Sequence, residues 1–309
     1  MRSGLIAVVG KPNAGKSTLI NQLTGKKVSI VSPRPQTTRR CIQTAFCSPE
    51  AQYWLIDTPG IQRPKNLLGK MMLLSAESAL ASADVALLVV DVSRLPTEED
   101  QRIVHLIKQS GVPKTVVALN KMDLLPIHRV PEHYSAYEQL VAPAPMMYTN
   151  ALKGHNLNKL IQLLQEALPE EREPVLEAPS GDSPPSPENL PLNLTLQEYA
   201  AEIIREKALH YTRQEVPHSL AVIVEHWEDP KEGDPDPLTR IYAQIIVERP
   251  SQKPILIGKQ GSMIKRIGSS ARQELEKILR TRVFLKLHVT VREGWTDHPW
   301  QLREFGYVP

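Results

Sequence analysis

The sequence predicts an α/β protein of two domains: an open, mostly parallel sheet flanked by helices, then a small α+β domain. Three observations predict it. Short apolar runs such as Leu5–Val9, Val85–Val90 and Thr115–Leu119 alternate with helical stretches through the first half, and uninterrupted apolar runs are the mark of parallel strands buried on both faces. A proline-, serine- and acid-rich stretch from Pro169 to Pro191 then breaks the pattern, with the composition of a semi-stiff linker. The remainder reads helix, strand, strand, short helix, helix, strand. The 309 residues suit two units of ordinary size. The division drawn is 1–168, a linker over 169–192, and 193–309.

Composition narrows the class. The net charge of +3 is mild, so only its distribution carries information. Two cysteines, Cys41 and Cys47, make neither a metal spacing nor a disulfide framework, and reduced thiols are expected. No apolar run approaches the roughly 18 residues of a membrane span. The chain enters a strand directly after Met1-Arg2-Ser3-Gly4, so no signal or transit peptide is expected. A soluble, cytoplasmic protein is the expectation.

The first strand runs into Gly10-Lys11-Pro12-Asn13-Ala14-Gly15-Lys16-Ser17-Thr18, and a helical run follows. This is G-x-x-x-x-G-K-[ST] in the strand–turn–helix setting it requires. Glycines let backbone N–H groups converge on phosphate oxygens, and the helix N-terminus adds its positive end. Lys16 can reach the β- and γ-phosphates, and Ser17 can hold Mg2+. The motif does not separate ATP from GTP.

The strand Tyr53–Ile56 ends in Asp57-Thr58-Pro59-Gly60. Alone this is a common turn. After a phosphate loop, Asp57 can hold Mg2+ through water, and Gly60 lets its N–H approach the γ-phosphate. Glu98 to Ser110 reads as a helix stopped by Gly111 and Pro113. The strand Val116–Leu119 leads to Asn120-Lys121-Met122-Asp123. The Asp123 carboxylate can accept the paired N–H donors of guanine, which adenine lacks, so an adenine nucleotide would leave it unpaired. Asn120 can tie this loop to the phosphate loop, and the Lys121 stem can cover the base. Asn150 and Ala151 follow the weaker strand Pro145–Tyr148, where the Ala151 N–H can meet guanine O6. Leu157 to Leu168 closes this half as a helix. In the polar loop Ser32–Arg40 lies Gln36-Thr37-Thr38-Arg39, where a threonine can complete the Mg2+ shell once a γ-phosphate is present.

In this order the five segments are similar to the G-motifs of translation-factor-type GTPases, and the forms Gly10-Lys11-Pro12-Asn13 and Gln36-Thr37-Thr38-Arg39 resemble the Era family. The resemblance implies GTP and GDP as ligands and Thr38 as a metal ligand. It makes the Ser32–Arg40 loop, with Gln36, Thr37, Thr38, Arg39 and Arg40, switch I, and the residues from Ile61 onward the second switch. Asn150 stands where the family usually has serine. Ile61 occupies the place where Ras has a glutamine that orients the attacking water. Isoleucine has no polar atom to do so, so hydrolysis is expected to be slow or to depend on another device. In relatives with this loop the asparagine helps bind K+, which makes Asn13, with backbone oxygens of the Ser32–Thr38 loop, a candidate K+ site; a hydrogen bond within the loop is the alternative role.

In the second half, helix Leu196–Thr212 and strands Leu220–His226 and Arg240–Val247 precede Gly258-Lys259-Gln260-Gly261, which opens helix Met263–Leu279; strand Val283–Val291 follows. A bare G-x-x-G carries no weight. Here ten basic residues face two acidic ones between Lys253 and Arg292, the footprint of a nucleic-acid surface. Gly258, Lys259, Gln260, Gly261, Lys265, Arg266 and Arg272 are the candidate RNA contacts, since KH domains clamp a nucleotide backbone with such a loop. The element order resembles a type II KH domain. The joint architecture, with Glu202–Lys207, Glu215–Ser219, Gly294-Trp295 and Leu302–Tyr307, resembles the Era family along nearly the whole chain. That resemblance implies a monomeric ribosome-assembly GTPase that binds the 3′ end of small-subunit rRNA and assists 30S maturation, with some peripheral membrane association. The rival readings are a P-loop ATPase, an RNA-binding protein with vestigial hydrolysis, and a membrane-surface GTPase.

Overall fold

The structure is a computed structural model that describes residues 1–34, 36–170, 190–212, 216–230, 233 and 236–307. Most of the expected linker, 171–189, and residues 231, 232, 234 and 235 of the loop after Glu228 lie outside the described residues, as does Glu215.

The first half builds a six-stranded sheet from β1 (Arg2–Val9), β2 (Ile42–Cys47), β3 (Ala51–Asp57), β4 (Val85–Asp91), β5 (Lys114–Asn120) and β6 (Met146–Tyr148), in the order β2-β3-β1-β4-β5-β6. All pairs are parallel except β2 with β3. The residues of β4 from Val85 to Val90 are buried, which is why this run is apolar without alternation. Two apolar clusters cover the faces. One packs Ala76, Leu80, Ile103 and Tyr137 against the sheet, and the other packs Leu19, Ile20, Leu160 and Leu164.

The flanking helices are α1 (Lys16–Thr24), α2 (Leu67–Ser82), α3 (Glu98–Ser110), α4 (Val130–Val141) and α5 (Leu157–Ala167). α3 has the bounds its sequence signals. A capping box joins Thr97 and Asp100, and Gly111 ends the helix at φ 75°. Three elements of this half were not expected from the sequence. β2 is a half-exposed edge strand directly after a polar loop. α2 buries Leu68, Met72, Ala76, Ala79 and Leu80 along one face, and its solvent face carries Leu74 and Ala81 beside Lys70 and Ser78, so its run LLGKMMLLSAESALAS shows little polar contrast. α4 begins at Val130 directly after a helical turn over Ile127–Arg129, with a proline in its first turn.

The second half folds as α6 (Leu196–Tyr211), β7 (Ala221–Glu228), β8 (Leu238–Val247), α7 (Lys253–Ile257), α8 (Ser262–Leu279), β9 (Arg282–Val291) and a terminal α9 (Pro299–Glu304). β8 pairs antiparallel with β7 and parallel with β9. α6 and α8 pack on one face, burying Ile204, Ala208, Ile267 and Ala271 against Ala243, Ile245 and Val289. α9 is six residues long and was not expected from the sequence.

The two halves share core. Leu68 and Met72 of α2 pack with Ala221, Ile246, Trp295, Leu302 and Phe305. Ile30 packs with Tyr199 and Ile203. Where the chain leaves the linker, the Leu192 N–H donates to Gln43 O at 2.8 Å and Asn193 Oδ1 accepts from Gln43 N at 2.8 Å. These contacts fix residues 192 and 193 on the open edge of β2.

Candidate functional site

β1 ends in the phosphate loop, and the loop's geometry explains its glycines. A Cβ on Gly10 would lie 2.2 Å from Val89 O, and one on Gly15 would lie 2.2 Å from Asn120 Nδ2; both residues have positive φ. Lys16 is 6% exposed, and its ammonium donates to Gly10 O at 3.1 Å and Lys11 O at 3.0 Å. Burial lowers its pKa to about 8, with Asp57 pulling the other way. A charged group held among loop carbonyls and short of counter-charge is poised for a phosphate. The Lys11 side chain takes another direction. Its ammonium is 2.6 Å from Asp100 Oδ2 in the capping box of α3, so of the expected nucleotide-binding residues Lys11 offers only its backbone.

Three oxygens expected from the sequence at the metal converge. Ser17 Oγ lies 2.9 Å from Thr38 Oγ1 and 2.7 Å from Asp57 Oδ2, and Thr38 Oγ1 lies 3.3 Å from Asp57 Oδ2. Asp57 is fully buried, and burial raises its carboxyl above the ordinary aspartate range although Lys16, Ser17 and Thr38 oppose this. Asp57 Oδ1 is buried without a hydrogen-bond partner. An orphaned carboxylate oxygen beside two hydroxyls fits a hard, oxygen-seeking cation such as Mg2+.

Gly60 sits against the phosphate loop, where a Cβ would lie 2.7 Å from Pro12 N and 2.8 Å from Pro12 Cα. The Ile61 N–H donates to Gly10 O at 3.1 Å, and the Ile61 side chain is buried in the core beside α2. It therefore faces neither water nor phosphate. Asn13, at φ 62°, reaches across to switch I, with Nδ2 3.3 Å from Pro33 O.

The base-recognition loops are joined by Asn120, which is 2% exposed. Its Nδ2 donates to Ala14 O at 2.8 Å, and its Oδ1 accepts from Thr149 Oγ1 at 3.3 Å and from Ala151 N at 2.9 Å. The tie to the phosphate loop is the expected one. The third bond engages the Ala151 N–H, which a guanine O6 would share with Asn120. The Lys121 ammonium is 2.8 Å from Asp91 Oδ2, which holds its stem along the loop. Asp123 is exposed, open to a base. Asn150 Oδ1 accepts from Lys153 N at 3.1 Å, while its Nδ2 is buried and unpartnered.

Switch I turns its other face to the second domain. Arg39 is 1% exposed; it donates to Leu220 O at 2.7 Å and lies 5.6 Å from the Trp295 ring and 5.8 Å from that of Tyr307. Arg40 is 2.8 Å from Glu198 Oε1 and donates to Phe305 O at 3.0 Å. Arg34 donates to Thr212 O at 3.1 Å. Arg205 and Glu202 of α6 are buried in the same contact. The sequence singled out Glu202–Lys207 only as part of a resemblance and gave neither residue a role at the site. The only local signals were the paired arginines after Thr38 and the Glu-x-x-Arg spacing on α6.

The G-x-x-G turn joins α7 to α8. Gly258 has φ 75°, and a Cβ there would lie 2.7 Å from Met263 N; Gly261 has φ 77° and caps α8. Lys253, Lys259 and Lys265 are exposed around it. The run of ten basic residues is not one surface, however. Arg282 pairs with Asp236, and Arg292 is 2.8 Å from Glu304, acids from outside the counted window. Arg266 lies over the Tyr211 ring at 4.3 Å, and Arg272 is 3.9 Å from Glu276.

Comparisons with known proteins follow this division. Residues 5–121 match a family model described as a 50S ribosome-binding GTPase, and residues 215–296 match that of the KH domain. The GTPase Era of Heliobacterium modesticaldum is 42% identical over 99% of this chain and 97% of its own length. A crystal structure of Era with MgGDPNP and nucleotides 1506–1542 of 16S ribosomal RNA matches with TM-score 0.91 at 39% identity, covering all of both chains. A single-substitution variant of Aquifex aeolicus Era, bound to GDP and AlF4−, matches with TM-score 0.90 at 39% identity, again over both whole chains.

Proposed function

From the premise that this chain belongs to the Era family of GTPases, we propose that it is a GTP-hydrolysing switch that grips the 3′ end of small-subunit ribosomal RNA with its KH domain and lets go after hydrolysis, in the service of 30S assembly. The chain is a P-loop GTPase with a C-terminal KH domain, and it hydrolyses GTP. The RNA target rests on the relative bound to 16S rRNA, which this chain matches across both domains. The model named for the 50S particle matches residues 5–121 alone, so it carries less weight.

One observation carries the gating part of this reading: switch I lies between the oxygens that suit Mg2+ and the KH domain. Ser17, Thr38 and, through water, Asp57 would hold Mg2+, which when bound neutralises charge at the β- and γ-phosphates. Lys16 and the backbone N–H groups of Asn13–Ser17 would position the phosphates, and Asp123 would select guanine. Loss of the γ-phosphate removes one reason for residues 36–40 to stay in place. RNA grip then follows nucleotide state to the extent that RNA prefers one state over the other.

The test is a titration of an RNA oligonucleotide carrying the 16S 3′ end, with a non-hydrolysable GTP analogue and with GDP. Tighter binding with the analogue is expected; equal affinities would remove the gate, and no binding in either state would remove the RNA reading. Replacing Lys259 and Lys265 with alanine should make the salt dependence shallower by about 0.7 in log–log slope per lysine.

For hydrolysis, Ile61 leaves the attacking water without a side-chain partner at that position. We assign that help to K+ held by Asn13 Oδ1 and switch I carbonyls; the Asn13 amide already lies beside Pro33 O, to which its Nδ2 donates here, so K+ binding would require the amide to turn. Faster turnover in KCl than in NaCl is expected, and equal rates would sink the assignment. Two free thiols support a reducing compartment, and we place the protein in the cytoplasm as a monomer. Sedimentation with anionic vesicles tests for a peripheral membrane-bound fraction.

A further inference from the structure

The Mg2+-facing side of switch I is accounted for by the GTPase reading; its buried opposite side is not. Arg205 of α6, in the KH half, is 1% exposed. Its Nε and Nη2 hold the Glu202 carboxylate one turn earlier at 3.0 and 2.5 Å. The same Nη2 donates to the carbonyl of Thr37 at 2.5 Å. Thr37 precedes Thr38, whose hydroxyl meets Ser17 and Asp57.

We propose that Arg205 is a positioning residue of the GTP site: from the KH domain it fixes the Thr37 carbonyl and thereby holds the Thr38 hydroxyl in the Mg2+ shell. The inference rests on the reading of Thr38 as a metal ligand in the GTP state. The link is short and stiff. The Thr37 carbonyl and the Thr38 N–H belong to one planar peptide unit, so a donor that fixes the oxygen fixes the plane from which the Thr38 Cα and hydroxyl hang. On the far side Arg39 is clamped by Leu220 O, Trp295 and Tyr307. Thr38 is thus held at both flanks by groups of the second domain.

Energetics favour position over glue. A buried ion pair is weak as a source of stability, because desolvation cancels much of its attraction. Glu202 compensates the Arg205 charge and aligns its planar fork, and the fork is what gives direction to the bond on Thr37 O. A lysine would supply the charge without the fork. GDP-bound protein does not call on Thr38, so the contribution of Arg205 should depend on the nucleotide.

The experiment uses the full chain with Arg205→Ala, Arg205→Lys, Thr38→Ala and the Arg205→Ala/Thr38→Ala double variant. Fluorescent GDP and a fluorescent non-hydrolysable GTP analogue are bound across a Mg2+ series, and nucleotide-free melting is followed in parallel. Arg205→Ala should raise the Mg2+ needed for half-maximal analogue binding about tenfold, the size of one lost hydrogen bond from a charged donor. GDP affinity should stay within about twofold, and Arg205→Lys should fall between. In the Thr38→Ala background, Arg205→Ala should add nothing, since both act through one hydroxyl. Equal shifts for both nucleotides, or effects that add in the double variant, would overturn the proposal by reducing Arg205 to a domain-packing residue. If Thr38→Ala itself leaves the Mg2+ requirement unchanged, the metal-ligand reading falls and the proposal with it. Should Arg205→Ala fail to melt cooperatively, Arg205→Lys and its double with Thr38→Ala decide on the same criteria.

Discussion

Gly60→Ala separates two reasons for a glycine at that position. The sequence suggests that Gly60 frees its N–H to approach a γ-phosphate. The structure adds a steric reason, because a Cβ would lie 2.7 Å from Pro12 N and 2.8 Å from Pro12 Cα and Cγ. Ordinary contact begins at 3.4 Å, so the two segments must part by about 0.6–0.7 Å. Two of the three clashing atoms are backbone, so no rotamer change relieves them. The Ile61 N–H bond to Gly10 O at 3.1 Å is the neighbouring contact that such a shift would stretch. Overpacking of this kind costs about 1–3 kcal/mol. A γ-phosphate would need the Gly60 N–H and the phosphate loop close together and so would meet the strain, whereas GDP makes no such demand on Gly60. Stopped-flow binding should therefore show analogue affinity falling about tenfold or more, with GDP affinity nearly unchanged. Adding Pro12→Ala should not rescue, since it removes only the Cγ contact. Equal losses for both nucleotides, or rescue by Pro12→Ala, would refute the backbone-clash argument.

Further outcomes are expected. Asn120→Ala strips partners from Ala14 O and Ala151 N, both buried, at about 1–3 kcal/mol each. It should lower the melting midpoint even without nucleotide, and an unchanged midpoint would mean that Asn120 does not join these loops. Asp123→Asn should shift binding preference from guanine toward xanthine nucleotides; unaltered selectivity in competition would remove Asp123 from base recognition. Acid should loosen the domain contact. Burial would raise Glu202 and Glu274, but Arg205 acting on the first, and Lys207 and Lys27 on the second, hold both below the ordinary glutamate value of 4.5. Their contribution is thus full above that value and is lost as pH falls below it and through the lowered folded values. Melting from about pH 7 to about pH 3 should show this loss, and Glu274→Gln should reduce it; an identical slope in the variant would assign the acid sensitivity elsewhere.

The nucleotide motifs were legible because their chemistry is local. Gly10 and Gly15 are dictated by positive φ and by the approach of Val89 O and Asn120 Nδ2, and a phosphate loop carries that requirement in consecutive residues. α3 was legible from Thr97, Asp100 and Gly111, which cap it within the span of the helix itself. α2 was not, because its solvent face carries Leu74 and Ala81 among its polar residues, and part of its buried face is completed by Trp295 and Leu302, near the other end of the chain. The basic run around the G-x-x-G was overcounted for a similar reason: Asp236 and Glu304 fold back onto Arg282 and Arg292.

By itself the sequence determined a guanine-nucleotide cradle, a basic G-x-x-G helix and their order along one chain, since each depends on residue types at fixed short spacing. Only the tertiary structure decided that Lys11 turns to α3, that the Ala151 N–H is engaged by Asn120, and that Arg39, Arg40 and Arg205 meet around switch I. Those contacts join residues as far apart as Thr37 and Arg205, or Arg40 and Phe305. Their pairing is set by how two cores pack together, and no local pattern of residues encodes that.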